Sequence, residues 1–375
     1  MQLDYRIDDE EHSIFFCKKN EFKKISTKIE KVNSDKNVLL VYDDKVSKNT
    51  VDSLIDELKS SGCNLLVVEC KGSKSNKNEK FLFRILDLLI KFKFTKRSVI
   101  VSFGGGVVGD VAALASSLYL RGLIYFCIPT TMTSIVDSSI GGKTAINYKG
   151  VINAVGNYFH PKSVFVLEKV IEEIPSREYY SGFAEIIKCG LIENNKILTF
   201  LTMNKKKLIK RDINEIFKIC ELTLKTKINF FTRDVYEKGS RLYLNFGHTF
   251  AHAIEMAIEN NIKKDYIRHG EAVGIGILSE IYYANKKKTS LYNKVKSYLL
   301  EFNLPINLNC SEIPINKVKL QNDIYKNLFL DKKRIDKHPR YISLKTTGKP
   351  SIQEMVDYDF INDTILEVII KRDDR

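Results

Sequence analysis

Short apolar runs alternate with amphipathic stretches through the first half of the chain. The apolar runs resemble strands that are buried on both faces, and they predict strands at residues 37–43, 64–69, 98–103, 123–128 and 163–167. Apolar residues at helical spacing predict helices between them, at residues 49–59, 81–92 and 111–120. An edge strand is also predicted near residues 13–17. Strands that alternate with helices form βαβ units, so this half predicts a doubly wound parallel sheet.

The pattern changes after about residue 175, where helical spacing dominates. Helices are predicted at residues 178–192, 197–210, 213–231, 250–260, 271–285 and 291–302. We therefore place a domain boundary near residue 170. The predicted fold is an α/β nucleotide-binding domain over residues 1–170, followed by a mainly α-helical domain over residues 171–375.

Composition narrows the class of protein without identifying it. The formal net charge of +14 suits nucleic acid, a membrane surface or an anionic small molecule. The lysines are scattered among Asn and Asp, without the interleaved aromatic residues of a base-stacking surface, so no nucleic-acid partner is predicted. No apolar run approaches the roughly 18 to 20 residues that a membrane span needs, so no membrane association is predicted.

The cysteines and the N-terminus bear on the compartment. The seven cysteines are an odd number and never form a Cys-x-x-Cys pair, which argues against both a disulfide framework and a cysteine zinc cluster. The first residues are acidic and contain no apolar signal core. We therefore predict a cytoplasmic protein.

A glycine-rich turn follows the third predicted strand. The residues Gly104-Gly-Gly-Val-Val-Gly-Asp110 lead from that strand into a predicted helix. Glycines allow close approach of the backbone to a pyrophosphate, and a helix N-terminus offers free N–H groups to it. The run departs from the G-x-G-x-x-G fingerprint, so by itself it predicts a nucleotide site and not NAD in particular.

A second glycine-containing loop follows the next predicted strand. The residues Asp137-Ser-Ser-Ile-Gly-Gly-Lys-Thr144 end in the Gly-Lys-Thr of a Walker A motif, but Asp137 occupies the place of its first glycine. ATP binding through this loop is therefore not predicted. Lys143, beside flexible glycines and opposite an acid, suits an anionic or hydroxylated ligand.

Three of the six histidines cluster in the second half of the chain. His248 and His252 are four residues apart, so on a helix they would share one face, which Glu255 would continue, and His269 follows shortly after. The cluster predicts a metal site, with polar core or surface histidines as the alternative. A zincin peptidase is excluded, because its general base Glu would stand where this chain has Thr249.

These motifs, taken with several others, resemble the 3-dehydroquinate synthases of the sugar phosphate cyclase family. The resemblance covers roughly residues 98–350, in the order of the family. The residues that carry it are Gly104-Gly-Gly-Val-Val-Gly-Asp110, Arg121-Gly122, Pro129-Thr-Thr131, Val136-Asp-Ser-Ser-Ile-Gly-Gly-Lys-Thr144, Gly182-Phe-Ala-Glu-Ile-Ile-Lys188, Leu244-Asn-Phe-Gly-His-Thr249, His252-Ala-Ile-Glu255, His269-Gly-Glu271 and Asp331-Lys-Lys333.

The resemblance implies site residues. It implies one divalent metal, usually zinc with cobalt as an alternative, bound by Glu185, His248 and His269. His252 would then contact the substrate and assist proton movement at its phosphate end. The implied NAD contacts are Asp43, Gly105, Gly106, Asp110, Thr130, Thr131, Asp137 and Lys143. The implied phosphate contacts are Lys143, Asn153, Asn245, His252 and one lysine of Lys332-Lys333. Lys227 and Arg241 would hold a carboxylate, while Lys188 and Glu237 would complete the catalytic wall.

The resemblance also implies a reaction and an assembly. A seven-carbon keto-acid sugar phosphate would be oxidised by NAD, lose phosphate by β-elimination, be reduced again and close its ring by an intramolecular aldol step. Arg121 would reach the phosphate site of the partner subunit in a homodimer. The alternatives are a cyclase for another sugar phosphate, an NAD- and metal-dependent polyol dehydrogenase, and a non-catalytic binding protein on the same fold.

The chain departs from the family pattern at two places. Ile152 stands where the family has a lysine before Asn153. The acid of the family's Gly-Glu-x-x-Lys motif is absent from Gly72-Ser-Lys-Ser-Asn-Lys77.

Overall fold

A computed structural model of the chain describes residues 1–18, 22–70, 76–149, 151–262, 266–309, 313–330 and 338–370. It contains two compact units, Met1–Pro175 and Ser176–Arg375. The boundary predicted near residue 170 falls inside a helix of the first unit, Glu168–Glu173. Within the ranges given, no helix combines the length and apolarity required to cross a bilayer.

The first unit is an α/β structure. Its strands are β1 (Gln2–Ile7), β2 (Glu10–Cys17), β3 (Asn37–Asp43), β4 (Asn64–Cys70), β5 (Val99–Gly104), β6 (Ile124–Pro129), β7 (Lys143–Tyr148), β8 (Val151–Tyr158) and β9 (Ser163–Leu167). Its α-helices are α1 (Phe22–Glu30), α2 (Lys48–Ser60), α3 (Glu79–Lys91), α4 (Gly106–Leu118) and α5 (Glu168–Glu173). A 3₁₀ turn spans Tyr119–Arg121 and a π-helical turn spans Ser134–Ser138.

Seven strands form the main sheet of this unit, in the order β1-β2-β9-β6-β5-β3-β4. All neighbours are parallel except β1 and β2, which form an antiparallel pair. The predicted parallel sheet is therefore confirmed. The prediction of an edge strand at 13–17 is wrong in one respect, because β1 covers that edge and β2 lies inside the sheet.

Apolar side chains fill one face of the sheet because helices cover it. Phe15, Leu40, Val101 and Phe126 are at most 2% exposed and share a core with residues of α1 and α2. Burial of each such side chain contributes roughly 1.5–3 kcal/mol to stability. Strand β5 is buried at every position, and burial on both faces explains why the central strands appear in the sequence as continuous apolar runs.

Helix α4 begins earlier than predicted. It starts at Gly106, inside the glycine run, and not at Val111. Glycine has poor intrinsic helix propensity, so the sequence pattern shows the helix only after the last glycine. The buried side chain of Val108 packs beside Gly104, and this packing outweighs the unfavourable propensity of the glycines.

The residues predicted as a loop over 137–144 include ordered structure. The turn Ser134–Ser138 ends one side of this segment and strand β7 begins at Lys143 on the other. Strands β7 and β8 form a separate antiparallel hairpin. Most of β8 is exposed on both faces, so its sequence has no alternation of apolar and polar residues that would reveal a strand.

The second unit is mainly helical, as predicted. Its helices are α6 (Ser176–Ser181), α7 (Phe183–Ile192), α8 (Asn195–Ile209), α9 (Ile213–Arg233), α10 (His248–Glu259), α11 (His269–Asn285), α12 (Ser290–Glu301), α13 (Lys317–Leu328) and α14 (Tyr358–Thr364). A 3₁₀ segment spans Ser240–Asn245 and a π-helical turn spans Ile365–Ile369. Gly182 divides the helix predicted at 178–192 into two. The hairpin of β10 (Arg340–Leu344) and β11 (Pro350–Glu354) was not predicted.

Candidate active site

The glycine turn lies at the carboxyl ends of three neighbouring strands in the first unit. Asp43 ends β3, Gly104 ends β5, and Thr131 follows the end of β6. A Cβ added to Gly105 would lie 3.2 Å from Cγ2 of Thr131. The N–H of Thr130 donates to the carbonyl of Gly104 at 3.0 Å. The N-terminus of α4 therefore opens at the strand ends, where parallel α/β sheets bind their ligands.

One pocket of the first unit joins the two glycine-containing segments. Its lining includes Gly105 and Asp110 of the first segment and Gly142 and Lys143 of the second. Asp137 lies in the adjoining π-helical turn, close enough for its charge to act on Asp110. The structure thus brings these predicted cofactor and phosphate residues together within one unit.

Lys77 connects this pocket to strand β8. Its ammonium forms an ion pair with Asp110 and donates a hydrogen bond of 2.6 Å to Oδ1 of Asn153. Burial raises the pKa of Asp110, against the opposing effect of the Lys77 charge. The backbone N–H of Asn153 donates to Asn147 at 2.9 Å, which fixes Asn153 in a left-handed conformation with φ of 50°. A lysine therefore lies beside Asn153 although Ile152 is not one.

Three side chains of the second unit converge on one point. Glu185 lies in α7, while His248 and His269 are the first residues of α10 and α11. Nε2 of each histidine lies 3.6 Å from Oε1 of Glu185. One donor atom from each residue lies within 4.8 Å of the others. Two imidazoles and a carboxylate form the donor set of catalytic zinc sites that leave coordination positions open.

The other contacts of these side chains also fit a metal site. Nδ1 of His248 lies 3.2 Å from the carbonyl of Phe246, and Nδ1 of His269 lies 3.3 Å from the carboxylate of Glu255. Such contacts fix the tautomer and leave Nε2 available to bind a metal ion. Among the described residues, no donor lies at hydrogen-bond distance from the buried Oε1 of Glu185. The arrangement therefore fits a divalent cation.

Charge around Glu185 keeps it ionised. Burial acts to raise the pKa of Glu185, but Lys188, ion-paired with it, and His269 outweigh burial and hold that pKa at about 2. Burial likewise acts to lower the pKa of His269, but the carboxylates of Glu255 and Glu185 outweigh burial and raise it to about 10. Lys188 is only 1% exposed, so its charge acts within a medium that screens weakly.

His252 lies beside the three donors without being one of them. Its ring centroid is 5.5 Å from that of His248 and 6.3 Å from that of His269. The helical pair that first indicated a metal therefore contributes one residue, His248, to the donor cluster.

Polar contacts fix the start of the helix that carries His269. The carboxylate of Glu271 accepts hydrogen bonds of 2.6 and 2.7 Å from Arg177 and one of 2.9 Å from the N–H of Arg268. A Cβ added to Gly270 would lie 1.8 Å from the carbonyl of Ser181, so this position has room for glycine alone. The His-Gly-Glu sequence is thus explained by the docking of α11 as well as by its histidine.

The residues predicted to bind substrate in the second unit are largely buried. Lys227 of α9 is 5% exposed and Arg241 is 3% exposed. Nη1 of Arg241 donates to the carbonyl of Val235 at 2.5 Å. Asn245 donates to Glu237 at 2.6 Å. The segments that carry these residues, α9 and Ser240–Asn245, contact each other and α7, so one unit holds the cations and the donor cluster.

The remaining predicted substrate residues are Asn153 of strand β8, Arg121, Lys332 and Lys333. Arg121, in the first unit, is exposed and follows Leu120, and both have left-handed backbone conformations, with φ of 63° and 49°. Lys332 and Lys333 lie outside the described residues.

Comparison with known proteins decides the family. Two family models match, 3-dehydroquinate synthase N-terminal over residues 67–181 and 3-dehydroquinate synthase C-terminal over residues 182–334. A 3-dehydroquinate synthase of Thermodesulfovibrio yellowstonii is 32% identical over 88% of this chain and 89% of that protein. One from Prochlorococcus marinus is 34% identical over 89% of each. The chain belongs to the 3-dehydroquinate synthase family. It is therefore an enzyme that eliminates phosphate and closes a ring.

Solved structures support the fold. A 2-deoxy-scyllo-inosose synthase complexed with carbaglucose-6-phosphate, NAD+ and Co2+ has a TM-score of 0.80 at 22% identity, covering 98% of this chain and 100% of that one. The ValA protein of Streptomyces hygroscopicus, a 2-epi-5-epi-valiolone synthase with NAD+ and Zn2+ bound, has a TM-score of 0.81 at 19% identity, covering 97% and 98%. A glycerol dehydrogenase of Schizosaccharomyces pombe has a TM-score of 0.61 at 16% identity, covering 93% and 87%.

Two carboxylates of this 3-dehydroquinate synthase family member have contacts that sequence reasoning did not identify. The sequence places Glu255 on a helical face, and the structure shows that its carboxylate contacts Nδ1 of His269. Glu271 belongs to the His-Gly-Glu motif, and the structure shows that its carboxylate binds Arg177. Helical spacing from His248 places Glu255 on the correct face, but its contact with a residue of another helix depends on tertiary packing.

Substitution of Glu255 with glutamine is expected to weaken metal binding about 10- to 100-fold. Loss of a carboxylate that contacts a metal-binding histidine typically has an effect of this size. The amide keeps the shape of the side chain but removes the charge that acts on His269. Competition with a chromogenic chelator measures the effect. Glu259→Gln, at the end of the same helix α10, is the matched control. Equal affinity in the Glu255 and Glu259 variants would contradict the assigned contact.

Proposed function

We propose that this enzyme uses NAD and one divalent metal to convert 3-deoxy-D-arabino-heptulosonate 7-phosphate into 3-dehydroquinate and phosphate. The observation that carries the proposal is the cluster of Glu185, His248 and His269, which lies in the same unit as the buried cations Lys227 and Arg241. A polyol dehydrogenase would have no use for a pair of carboxylate-binding cations.

Glu185, His248 and His269 would hold the metal. Their nitrogen and oxygen donors suit zinc, with cobalt as the alternative. When bound, the ion would make a coordinated substrate hydroxyl more acidic and polarise a carbonyl oxygen. The chain contributes the fixed geometry of the donors and the negative charge of Glu185, which Lys188 keeps ionised.

The glycine turn of the first unit would hold NAD. Its backbone N–H groups at the start of α4 suit the pyrophosphate, and Asp43 and Thr131 lie beside Gly105. NAD when bound supplies a reversible hydride acceptor. The proposed contacts are Asp43, Gly105, Gly106, Asp110, Thr130, Thr131, Asp137 and Lys143.

The substrate would be held at both of its charged ends. Burial around Lys227 and Arg241 excludes water and strengthens their attraction for a carboxylate. His252, beside the donor cluster, would move a proton at the phosphate end, while Lys188 and Glu237 orient the remaining groups. The proposed phosphate contacts are Lys143, Asn153, Asn245, His252 and one of Lys332 and Lys333.

A homodimer in the cytoplasm completes the proposal. The exposed, strained position of Arg121 supports a role toward a second copy of the chain, because strain of this kind costs free energy and persists where a function retains it. The described cysteines Cys17, Cys63, Cys70, Cys127, Cys189 and Cys220 are free thiols, in keeping with a reducing compartment.

Phosphate release from the purified protein tests the activity. With NAD, zinc and the heptulosonate phosphate, we expect one phosphate released for each ring closed. Glucose 6-phosphate and glycerol, assayed in parallel, test the related cyclase and the polyol dehydrogenase. Metal-loaded protein that releases no phosphate from the heptulosonate phosphate would refute the proposed substrate.

Substitution of Arg241 with alanine is expected to raise KM for the heptulosonate phosphate by about 10- to 100-fold, because a hydrogen bond to a charged group contributes roughly 1.5–3 kcal/mol. Steady-state kinetics measures KM and kcat separately. Arg233→Ala, at the exposed end of the preceding helix α9, is the matched control. If KM stays unchanged in a folded Arg241 variant, the carboxylate assignment is wrong.

A further inference from the structure

Glu280 is a buried carboxylate that the proposed reaction does not use. It lies in α11, about three turns after His269, and its side chain is fully buried. Oε1 accepts a hydrogen bond from the N–H of Thr249 at 3.3 Å, and Oε2 accepts one from the N–H of Ile342 at 3.2 Å. Burial raises the pKa of Glu280 to about 8. An acidic side chain buried this deeply needs partners for its oxygens, because burial of a polar group without hydrogen bonds is costly.

The segment that Glu280 contacts contains the metal ligand His248. Gly247, directly before it, has a left-handed conformation with φ of 83°. A Cβ added to Gly276 would lie 2.0 Å from the carbonyl of Gly247, so the start of α10 packs directly against α11. Thr249 Oγ1 also donates to the carbonyl of Arg340 at 2.8 Å. The start of α10 is therefore held between α11 and β10.

His248 depends on this segment for its orientation. Its Nδ1 contact is the carbonyl of Phe246, two residues away in the same segment. That contact orients the ring relative to the segment, whereas Glu280 fixes the segment relative to α11. An oxygen acceptor also suits the N-terminus of α10, whose first N–H groups have no partner within the helix.

We infer that Glu280 is a positioning residue for the metal centre, which holds the first turn of α10 so that Nε2 of His248 faces Glu185 and His269. This inference rests on the proposed metal site. His269 is held through a side chain, that of Glu255, whereas His248 is held through the backbone of its own turn. Loss of Glu280 would displace one ligand of three.

Cobalt loading of Glu280→Gln tests the inference. The amide has the same volume but keeps one acceptor oxygen, so one of the two N–H groups loses its partner. We expect Co2+ affinity to fall about 10- to 100-fold, and the visible absorption bands of bound Co2+ to shift in position and intensity. Glu280→Asp, which keeps both carboxyl oxygens on a shorter side chain, should recover part of the affinity and provides a second folded variant.

Tyr283→Phe is the matched control. It lies in the same helix, is 4% exposed, and loses a hydroxyl that accepts from the N–H of Asp357 at 3.1 Å. We expect a lower Tm in this variant with unchanged Co2+ affinity and spectrum. Native Co2+ affinity and spectrum in both Glu280 variants would overturn the inference, whatever their Tm. A wild-type chain that binds no Co2+ would instead refute the proposed metal site.

Discussion

Replacement of His269 with alanine is expected to abolish metal retention, because only Glu185 and His248 of the donor cluster would remain. Loss of a group that only contacts a metal ligand already lowers metal affinity about 10- to 100-fold, so loss of a ligand itself should lower it at least about 100-fold. Metal analysis after gel filtration measures the retained ion. The wild-type chain should keep one ion per chain and the variant none.

Two further histidine variants make this test specific. His338, in the same unit, contacts Tyr358, so His338→Ala should keep its metal. His252→Ala should also keep its metal while losing phosphate release, because His252 lies beside the donors and outside their set. Loss of metal in the His252 variant, with retention in the His269 variant, would show that the helical pair provides the ligands.

Sequence patterns predicted the central strands of the main sheet because these strands are buried on both faces. Strands β3 and β9 match residues 37–43 and 163–167 at both ends, since continuous apolar runs with sharp polar borders leave little ambiguity. Hairpin β7–β8 was not predicted, because most of β8 is exposed and no face of it must be apolar. Its position depends on pairing with β7, which a local pattern does not encode.

The metal site could likewise be predicted only in part from the spacing of its residues. The four-residue spacing of His248 and His252 indicated a metal, and both lie in α10, which begins at His248 and not at residue 250 as predicted. Local spacing does not reveal Glu185, because it lies in another helix, far earlier in the chain, and tertiary packing brings it to His248. The family resemblance supplied it, since a family motif records contacts that a single sequence conceals.

Lys77 makes contacts that neither the residue patterns nor the family resemblance predicted. Asn78 caps helix α3 by accepting from the N–H of Phe81 at 3.0 Å, and this cap fixes the chain directly before the helix. The ammonium of Lys77 then reaches Asp110 and Asn153. A positive charge therefore lies beside Asn153 even though the lysine expected at position 152 is an isoleucine. This charge comes from Lys77, a residue distant in sequence, so residue spacing around Asn153 could not have predicted it.

Metal affinity is expected to rise about tenfold per pH unit between pH 6 and pH 9, because binding must displace one proton from His269. Burial acts to lower the pKa of His269, but Glu255 and Glu185 outweigh it and raise the pKa to about 10, so the metal-stripped chain carries the proton at neutral pH. Glu185, with a pKa of about 2, stays ionised across this range. Calorimetric titration with Co2+ in buffers of different ionisation enthalpy measures the protons released.

The same pKa shift sets an opposite trend for the metal-stripped chain. A histidine whose pKa is raised on folding contributes stability that is complete below its unfolded pKa of about 6.5. That contribution is lost as pH rises toward about 10. Hence the Tm of stripped protein should fall over this window, while the Tm difference between loaded and stripped protein should grow. Glu255→Gln removes the largest cause that raises the pKa of His269, so its metal affinity should level off at a lower pH. An affinity independent of pH in the wild-type chain would exclude a protonated His269.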